Sequence, residues 1–398
     1  MGNSITFFYL FVKRKTKGDV FLQEIIQYFE EGIKSKMEPF RLGLELEHFI
    51  VDKKEFHSLD YLHGIEEILK KLRPLYDEAF YSEGHLISLK REDLLITIEP
   101  AGQFEISLAP KENLSDIFRI YKHFMYELEP VLEQHNACMI HLGYQPRSKV
   151  ENLKKIPKKR YQFMESYFQE IGPYGSYMMK GTAAAHVSID YTSESDFSKK
   201  YRIAYALSPL FSLFMENTPY FEGEPYHGHL LRGQIWDKTD CERVSIEKYM
   251  QDGEMTFASY ADFVTNEPLI LDISSGKDQF TVQSAAEIYA NKSLTKRDIE
   301  HILSMVFPDI RLKQYIEIRC ADSNSIEYVM PYLEMLRNIF GTEESVDWWY
   351  QLVRKIPIEQ VSQTKYEIIR LGRKAMIYGR TADEWICRMQ TGGTDRWI

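Results

Sequence analysis

The sequence has no excess of basic residues. Its 398 residues include 49 lysines and arginines against 59 aspartates and glutamates, which gives a formal net charge of -10. Because binding to a nucleic-acid backbone requires a basic surface, this balance argues against a nucleic-acid-binding protein. An acidic protein that binds anionic substrates needs local arginines or metal ions to do so.

Cysteine is scarce and widely spaced. The four cysteines include no C-x-x-C pair and lie at Cys138, Cys241, Cys320 and Cys387. This spacing predicts neither a structural zinc site nor a disulfide framework. We therefore expect a cytoplasmic location.

Long apolar runs are also missing. The apolar stretch at residues 5–12 is too short to cross a bilayer, and its basic residues follow it, which is the reverse of a signal peptide. We expect no membrane association. Residues 1–18 are expected to form an N-terminal extension whose order the sequence does not determine.

The usual nucleotide-binding loops are absent from the sequence. The chain has neither a Walker A sequence nor a G-x-G-x-x-G pattern. It also has no internal repeat, low-complexity run or Pro/Gly/Ser-rich linker, so we expect residues 19–398 to form a single domain.

Apolar residues spaced three and four apart predict helices along the whole chain. These patterns occupy residues 20–35, 60–73, 113–135, 158–170, 195–217 and 295–306, and they are nearly continuous from about 325. Thr295 with Asp298 and Thr381 with Glu384 fit capping boxes, which mark helix N-termini. The sequence thus predicts a mainly helical C-terminal part.

Between the helices, segments of alternating apolar and polar residues predict half-buried strands. In "LGLELEHF" at 42–49, the leucines share one face and Glu45 and Glu47 share the other. Taken alone, such a pair of glutamates favours a solvated face. Further segments with this pattern lie at 94–110, 138–146, 183–191, 229–236 and 315–322. Together the six segments predict one sheet with helices on its apolar face and Glu, His and Arg on its polar face.

If these strands are neighbours, their acidic residues converge. The converging groups are Glu45, Glu47, Glu99, Glu105, His186 and Glu317. So many carboxylates do not stay ionised together without cations, and hard oxygen ligands favour Mg²⁺ or Mn²⁺ over zinc. Arg232 and Arg319 offer two-point recognition of a carboxylate or a phosphoryl group. The combination predicts ATP-dependent activation of a carboxylic acid, with the nucleotide held mainly through its metals.

Several of these residues have a structural alternative. His186 also fits a satisfied buried histidine, Arg232 a structural ion pair, and Trp236 a core position. Glu99 lies beside a proline turn, where surface acids are common.

Eight segments occur in a fixed order between about residues 19 and 340. They are "LGLELEHF", "IEPAGQFEIS", "LGYQPRS", "IPKKRYQFM", "YMMKGTAAAHVSIDY", "LSPLFSLFMENTPYFEG", "RGQIWDKTDCER" and "FPDIRLKQYIEIRCADS". This set resembles the plant and proteobacterial branch of the glutamate-cysteine ligase family. The resemblance implies a glutamine-synthetase-like α+β fold, in which a curved antiparallel sheet of about six strands packs with helices on one face and holds metals, ATP and glutamate on the other.

The resemblance also implies a reaction and a single catalytic domain at 19–398. In that reaction ATP phosphorylates the γ-carboxylate of L-glutamate, and the amine of L-cysteine then attacks the acyl phosphate, as in the first step of glutathione biosynthesis. The implied metal-binding residues are Glu45, Glu47, Glu99, Glu105, His186 and Glu317. The implied catalytic residues are Glu45, Glu317 and Arg319, and the implied substrate-binding residues are Thr182, Arg232, Gln234 and Trp236.

The chain departs from the family pattern at two positions. His186 stands where the plant-type branch has glutamine, and it resembles a metal-facing histidine of the enterobacterial branch. Gly181 stands where the branch has an arginine, and strand alternation would turn the neighbouring Lys180 away from the site. Residues 253–292 and the tail after 340 also match poorly. Gly181 and the divergent segment 253–292 keep open a ligase with a different amine acceptor. A non-enzymatic descendant that binds glutamate or nucleotide is a third alternative, and the full set of converging acids argues against it. The sequence does not determine the oligomeric state.

Overall fold

The computed structural model describes residues 17–250, 252–290 and 292–392. In those ranges the helices are α1 (Lys17–Glu30), α2 (Glu66–Leu72), α3 (Leu114–Gln134), α4 (Lys159–Ile171), α5 (Tyr174–Ser176), α6 (Glu194–Phe214), α7 (Leu231–Asp237), α8 (Cys241–Val244), α9 (Phe257–Asn266), α10 (Ala285–Ile288), α11 (Lys296–Leu303), α12 (Ile326–Phe340), α13 (Glu343–Val353), α14 (Glu359–Leu371) and α15 (Ala382–Gln390). Two π-helical turns occupy Tyr61–Ile65 and Tyr177–Gly181.

The main sheet is entirely antiparallel and is built around a long strand. Its strands are β1 (Leu42–Asp52), β2 (Glu78–Ser82), β3 (His85–Arg91), β4 (Leu94–Ile98), β5 (Phe104–Lys111), β6 (Ala137–Ile140), β7 (Ala184–Ile189), β12 (Ile310–Leu312) and β13 (Ile316–Asp322). Short two-stranded pairs are β8 (Tyr220–Phe221) with β9 (Glu224–Pro225), β10 (Leu271–Asp272) with β11 (Gln279–Phe280), and β14 (Met376–Ile377) with β15 (Arg380–Thr381). The order across the main sheet is β12-β13-β7-β1-β5-β4-β3-β2, and β6 pairs with the second half of β1.

The two faces of β1 explain its position at the centre of the sheet. Leu42, Leu44 and Leu46 are almost fully buried on one face, which packs on the helices. The helices α2, α3, α6 and α12 contact this side of the sheet. Burial of three leucines stabilises the fold by about 2 kcal/mol each, and it turns Glu45 and Glu47 toward the opposite face.

Most of the predicted elements are present. The helical patterns between 20 and 306 correspond to helices, and both predicted capping boxes are formed, at Thr295 before α11 and at Thr381 before α15. From Ile326 to Gln390 the described chain is helical except for short turns and the β14–β15 pair. The predicted extension at 1–18 lies outside the described residues, apart from the first two residues of α1.

Two predictions about the sheet are wrong. Within the described residues the sheet has nine strands rather than about six, because β2, β3 and the three-residue β12 extend its edges. The segment 229–236 is not a strand but contains the start of α7. Leu231 and Ile235 are four residues apart, a spacing that fits a strand face and a helix face equally well.

The helices are not confined to one face of the sheet. Parts of α4 and α7 and the π-helical turn at Tyr177–Gly181 lie over the polar face and enclose a cavity there. No helix in the described ranges is long and apolar enough to cross a membrane.

Candidate active site

The strand register brings the predicted acidic residues together on the polar face. Glu45 lies between Ser107 on β5 and His186 on β7, and Glu47 lies opposite Glu105. Residues directly opposite in an antiparallel pair have Cβ atoms about 5 Å apart. Neighbouring carboxylates are therefore within range of strong mutual repulsion.

A cavity of about 260 Å³ lies over this face. Its lining includes most of the residues predicted from the sequence, namely Glu45, Glu47, Glu99, Glu105, Thr182, His186, Arg232, Trp236 and Arg319. Further lining residues, which the sequence analysis did not single out, are Lys158, Arg160, Tyr161, Met164, Met178, Met179, Phe307 and Arg311.

Two glutamates in the cavity resist ionisation. Burial and the charge of Glu99 raise the pKa of Glu47 from 4.5 to about 7, although its Oε2 accepts a hydrogen bond from the Ala184 backbone N–H at 2.7 Å. Burial and the charge of Glu45 hold the pKa of Glu105 well above its ordinary range. Added positive charge in the cavity would therefore favour the ionised form of both carboxylates.

His186 is the neutral base of the cavity. Its side chain is 5% exposed, and Nδ1 lies 3.5 Å from Glu45 Oε2. Burial and the nearby Arg319 lower the pKa of His186 to about 4, so the imidazole is uncharged at neutral pH. Nε2 has no hydrogen-bond partner, and the only polar contact of Nδ1 in the described residues is the long one to Glu45. A buried, neutral imidazole with a free ring nitrogen is able to ligate a metal ion.

Glu317 has a different environment from the other acids. It is fully buried, and its oxygens contact Arg311 Nε at 2.6 Å, Lys313 Nζ at 2.9 Å and Arg319 Nη1 at 2.8 Å. Although burial opposes ionisation, these three cations hold the pKa of Glu317 well below its ordinary range. Glu317 is not among the residues that line the cavity. Its contacts instead orient Arg311 and Arg319, which do line it.

The donor set fits a hard divalent cation. In the described chain, no group of three or more His, Cys, Asp or Glu side chains is arranged as a ready-made metal site. Mg²⁺, however, is usually bound by one or two carboxylates together with substrate phosphates and water. Glu47 and Glu105, with raised pKa values, supply carboxylates of that kind, and His186 offers a free imidazole nitrogen beside them.

Arg232 is held so that part of its guanidinium is unsatisfied. The side chain is buried, and Nη2 donates to the Arg319 backbone oxygen at 2.8 Å. Its Nε has no hydrogen-bond partner, and neither does Nε1 of Trp236 on the next turn of α7. Unpartnered buried donors are costly, so both atoms favour a polar ligand in the cavity.

Two predicted substrate-binding residues have other partners. The Gln234 side-chain amide donates to the Tyr226 hydroxyl at 3.0 Å and to the His229 backbone oxygen at 2.8 Å, and Gln234 does not line the cavity. Thr182 does line it, but its hydroxyl donates to the Met178 backbone oxygen at 2.7 Å.

The start of α4 supplies cations that the sequence analysis did not assign to the site. Lys158, Arg160 and Tyr161 all line the cavity, and the Tyr161 hydroxyl donates to Glu99 Oε2 at 3.2 Å. Arg160 Nε has no partner. The segment "IPKKRYQFM" contributed to the family resemblance, but the basic run at 158–160 within it gave no role to these residues, because such a run before a helix usually marks a solvated surface.

Gly181 leaves no room for a side chain. A Cβ atom there would lie 2.5 Å from the ring of Tyr144, which is fully buried and donates to Glu222 Oε1 at 2.7 Å. Lys180 forms an ion pair with Glu165 at 2.7 Å rather than contacting the cavity. No basic side chain is therefore present at position 181 or supplied by its neighbour.

A second pocket, of about 510 Å³, adjoins the cavity and shares Ser304 and Arg311 with it. Its basic lining residues are Lys34, Arg41, Arg311 and Lys313, and its aromatic lining residues are Tyr28 and Tyr315. Only Asp190 and Glu300 bring negative charge. The pocket thus combines cations with aromatic walls at one end of the acidic cavity.

Comparison with known proteins finds consistent similarity. A family model described as "Glutamate-cysteine ligase family 2(GCS2)" matches residues 41–392. The chloroplastic glutamate–cysteine ligase of Brassica juncea is 31% identical over 309 residues, which are 75% of this chain and 60% of that protein. The chloroplastic glutamate–cysteine ligase A of Oryza sativa subsp. japonica is 31% identical over 358 residues, which are 84% of this chain and 72% of that protein.

Structural similarity is weaker. A crystal structure of a glutamate–cysteine ligase from Francisella tularensis in complex with AMP covers 90% of this chain and 82% of its own, with 10% identity and a TM-score of 0.46. The chain spans about 60% of the length of the Brassica juncea relative.

Proposed function

The chain belongs to glutamate-cysteine ligase family 2, and on that premise we propose that it is an ATP-dependent ligase that joins the γ-carboxylate of L-glutamate to the amine of L-cysteine. One observation carries the proposal: a single cavity contains a buried arginine with an unpartnered Nε beside carboxylates whose pKa values are raised by one another and by burial. Such a site fits an anionic substrate and cations at the same time.

The proposed reaction has two steps. A γ-carboxylate oxygen of glutamate attacks the γ-phosphorus of ATP, the bond from that phosphorus to the bridging oxygen breaks, and ADP leaves. The amine of the acceptor then attacks the acyl carbon, and phosphate leaves with one of the original carboxylate oxygens. The amine loses a proton in this step, and a γ-glutamyl amide is formed.

Arginines are proposed to place the two reacting groups. Arg232 binds the α-carboxylate of glutamate, because its buried guanidinium has a free Nε and is fixed through Nη2. Arg319, oriented by Glu317 at 2.8 Å, faces the transferring phosphoryl group. Trp236 and the methionines of the π-helical turn exclude water from the acyl phosphate.

Metal binding is part of the proposal. Glu45, Glu47, Glu99, Glu105 and His186 would hold Mg²⁺ or Mn²⁺, and Glu317 would act behind them through Arg311 and Arg319. When bound, the metal neutralises the phosphate oxygens and polarises the phosphoryl group.

The adjoining pocket is the proposed nucleotide site. Arg41 and Lys313 supply positive charge for the phosphates, and Tyr28 and Tyr315 supply aromatic surface for the base. This placement accounts for ATP binding without a Walker A loop, because the phosphates would extend from this pocket into the cavity through the shared Arg311.

A second candidate is the same activation chemistry with a different amine acceptor. The observation that favours it is the Tyr144 ring against Gly181, which removes a basic group expected near the acceptor. The glutamate half of the reaction would be unchanged.

The test is ADP formation from ATP with Mg²⁺, L-glutamate and a panel of amines, with the product identified by mass spectrometry. We expect cysteine to give the highest kcat/KM. Preference for another amine would favour the second candidate, and ADP formation that does not depend on glutamate would contradict both.

Three further expectations belong to the proposal. Residues 19–398 act as one catalytic domain, the partners are small molecules rather than nucleic acid or membrane, and the protein works in the cytoplasm. We also propose that the antiparallel main sheet is of the glutamine-synthetase type.

A further inference from the structure

Lys365, on α14, contacts the outer side of the short helix that carries Arg232 and Trp236. Its Nζ donates to Asp237 Oδ1 at 2.6 Å and lies 3.8 Å from Asp309 Oδ2. The Lys365 side chain is only 14% exposed, so its buried positive charge is stabilised by these two carboxylates rather than by water. Lys365 does not line the active-site cavity.

The helical spacing of α7 places its cavity-lining residues and its contacts with Lys365 on two adjacent stripes of the helix. Arg232 and Trp236 are four residues apart and both line the cavity. Gly233 and Asp237, also four residues apart, form the adjacent stripe, which faces Lys365. A Cβ atom at position 233 would lie 3.2 Å from Lys365 Cε, so the glycine leaves space for the lysine stem.

The segment 307–311 is the second element that Lys365 contacts. Asp309 lies between Phe307 and Arg311, both of which line the cavity, and its backbone oxygen accepts a hydrogen bond from the Arg319 N–H at 2.8 Å. On the inner side, the Trp236 and Phe307 rings are 5.5 Å apart. Lys365 therefore links α7 to the segment 307–311 on the side away from the cavity. The Trp236–Phe307 pair links the same two elements on the cavity side.

We infer that Lys365 is a positioning residue, which ties α7 to the segment 307–311 and thereby fixes Arg232 for the α-carboxylate of glutamate. A seven-residue helix has little stability of its own, so its orientation depends on such contacts. The C-terminal helical part then contributes to the site without contacting substrate. This role in glutamate binding rests on the proposed function.

The test compares Lys365→Met with a matched control. Methionine keeps the stem over Gly233 but removes the charge, and Lys199→Met breaks another lysine–aspartate pair of 2.6 Å, between α6 and α13. We expect Lys365→Met to raise KM for glutamate roughly tenfold and to leave KM for ATP within about twofold of wild type. Arg232→Lys should give the same glutamate-specific pattern, Lys365→Arg should restore most of the affinity, and Lys199→Met should leave both KM values unchanged.

Hydrogen exchange of the α7 amides gives a readout that does not depend on activity. We expect faster exchange at residues 231–237 in Lys365→Met and no change there in Lys199→Met. Unchanged exchange at α7, or faster exchange with an unchanged KM for glutamate, would overturn the inference. Absence of glutamate-dependent ADP formation in the wild-type protein would instead contradict the proposed function, and the exchange data would still decide whether Lys365 anchors α7.

Discussion

Glu105 and Glu317 belong to the same sheet but have opposite electrostatic environments. Glu105 is near Glu45, Glu99 and Glu47, whereas Glu317 contacts Arg311, Lys313 and Arg319. Burial is common to both residues. The sign of the neighbouring charges therefore decides which glutamate is ionised without metal.

This difference predicts opposite effects of the same substitution. In metal-free protein at pH 8, Glu105→Gln should raise the free energy of unfolding, because it removes a repelled carboxylate. Glu317→Gln should lower it by about 3 kcal/mol or more, because three cations lose their partner in a buried site. Denaturant unfolding measures both values, and a change of the same sign in both variants would contradict the electrostatic description.

Glu47 gives a pH-dependent prediction. Its pKa rises from 4.5 to about 7 on folding, so between these pH values the folded protein holds a proton that the unfolded chain has released. The contribution of Glu47 to stability therefore falls as pH increases from about 4.5 to 7 in the absence of metal. Because a metal ligand has to be ionised, we expect cation binding at pH 6 to release protons.

Calorimetry of Mn²⁺ binding at pH 6 checks this, in two buffers with different ionisation enthalpies. The observed heats should differ between the buffers, and Glu47→Gln should reduce the difference. Equal heats for the wild-type protein would show that no proton is released and that Glu47 does not ligate the metal in its ionised form.

At the scale of elements, the sequence predicted the strands with a clear two-residue period. β1, β4, β5, β7 and β13 were identified because apolar and polar residues alternate along each of them, and the register then brings Glu45, Glu47, Glu105 and His186 together. α7 was missed because its apolar residues fit both periods. The cations Lys158 and Arg160 were missed because their role depends on where α4 packs, which no local pattern encodes.

The π-helical turn at Tyr177–Gly181 supports one wall of the cavity. It carries Met178 and Met179, and Gly181 at its end lies so close to the Tyr144 ring that a Cβ atom would come within 2.5 Å of it. Gly181→Ala should therefore lower the free energy of unfolding by about 1–3 kcal/mol, as expected for overpacking, and should raise KM for the amine more than KM for glutamate.

Tyr144→Leu in the Gly181→Ala background is the matched test, because the smaller side chain relieves the clash. Unfolding and kinetic measurements on the pair decide the question. If Gly181→Ala were as stable as wild type and had the same KM for the amine, the wall would not depend on this contact.

At the scale of the whole molecule, the net charge of -10 differs from the local charge at the site, where basic residues are concentrated. The cavity and the adjoining pocket concentrate arginine and lysine beside the carboxylates, with Arg311 common to both. An acidic protein thereby has the local positive charge that the proposed carboxylate and nucleotide ligands would need. The C-terminal helices also contact the elements that form the site, since Lys365 on α14 pairs with Asp237 of α7 and lies near Asp309.

The most direct test of the proposed activity follows an oxygen atom. Glutamate labelled with ¹⁸O in its γ-carboxylate is incubated with ATP, Mg²⁺, cysteine and the enzyme, and the inorganic phosphate is analysed by mass spectrometry. Activation through an acyl phosphate predicts one ¹⁸O atom in each phosphate released. Phosphate without ¹⁸O, formed at the same rate as ADP, would contradict the account.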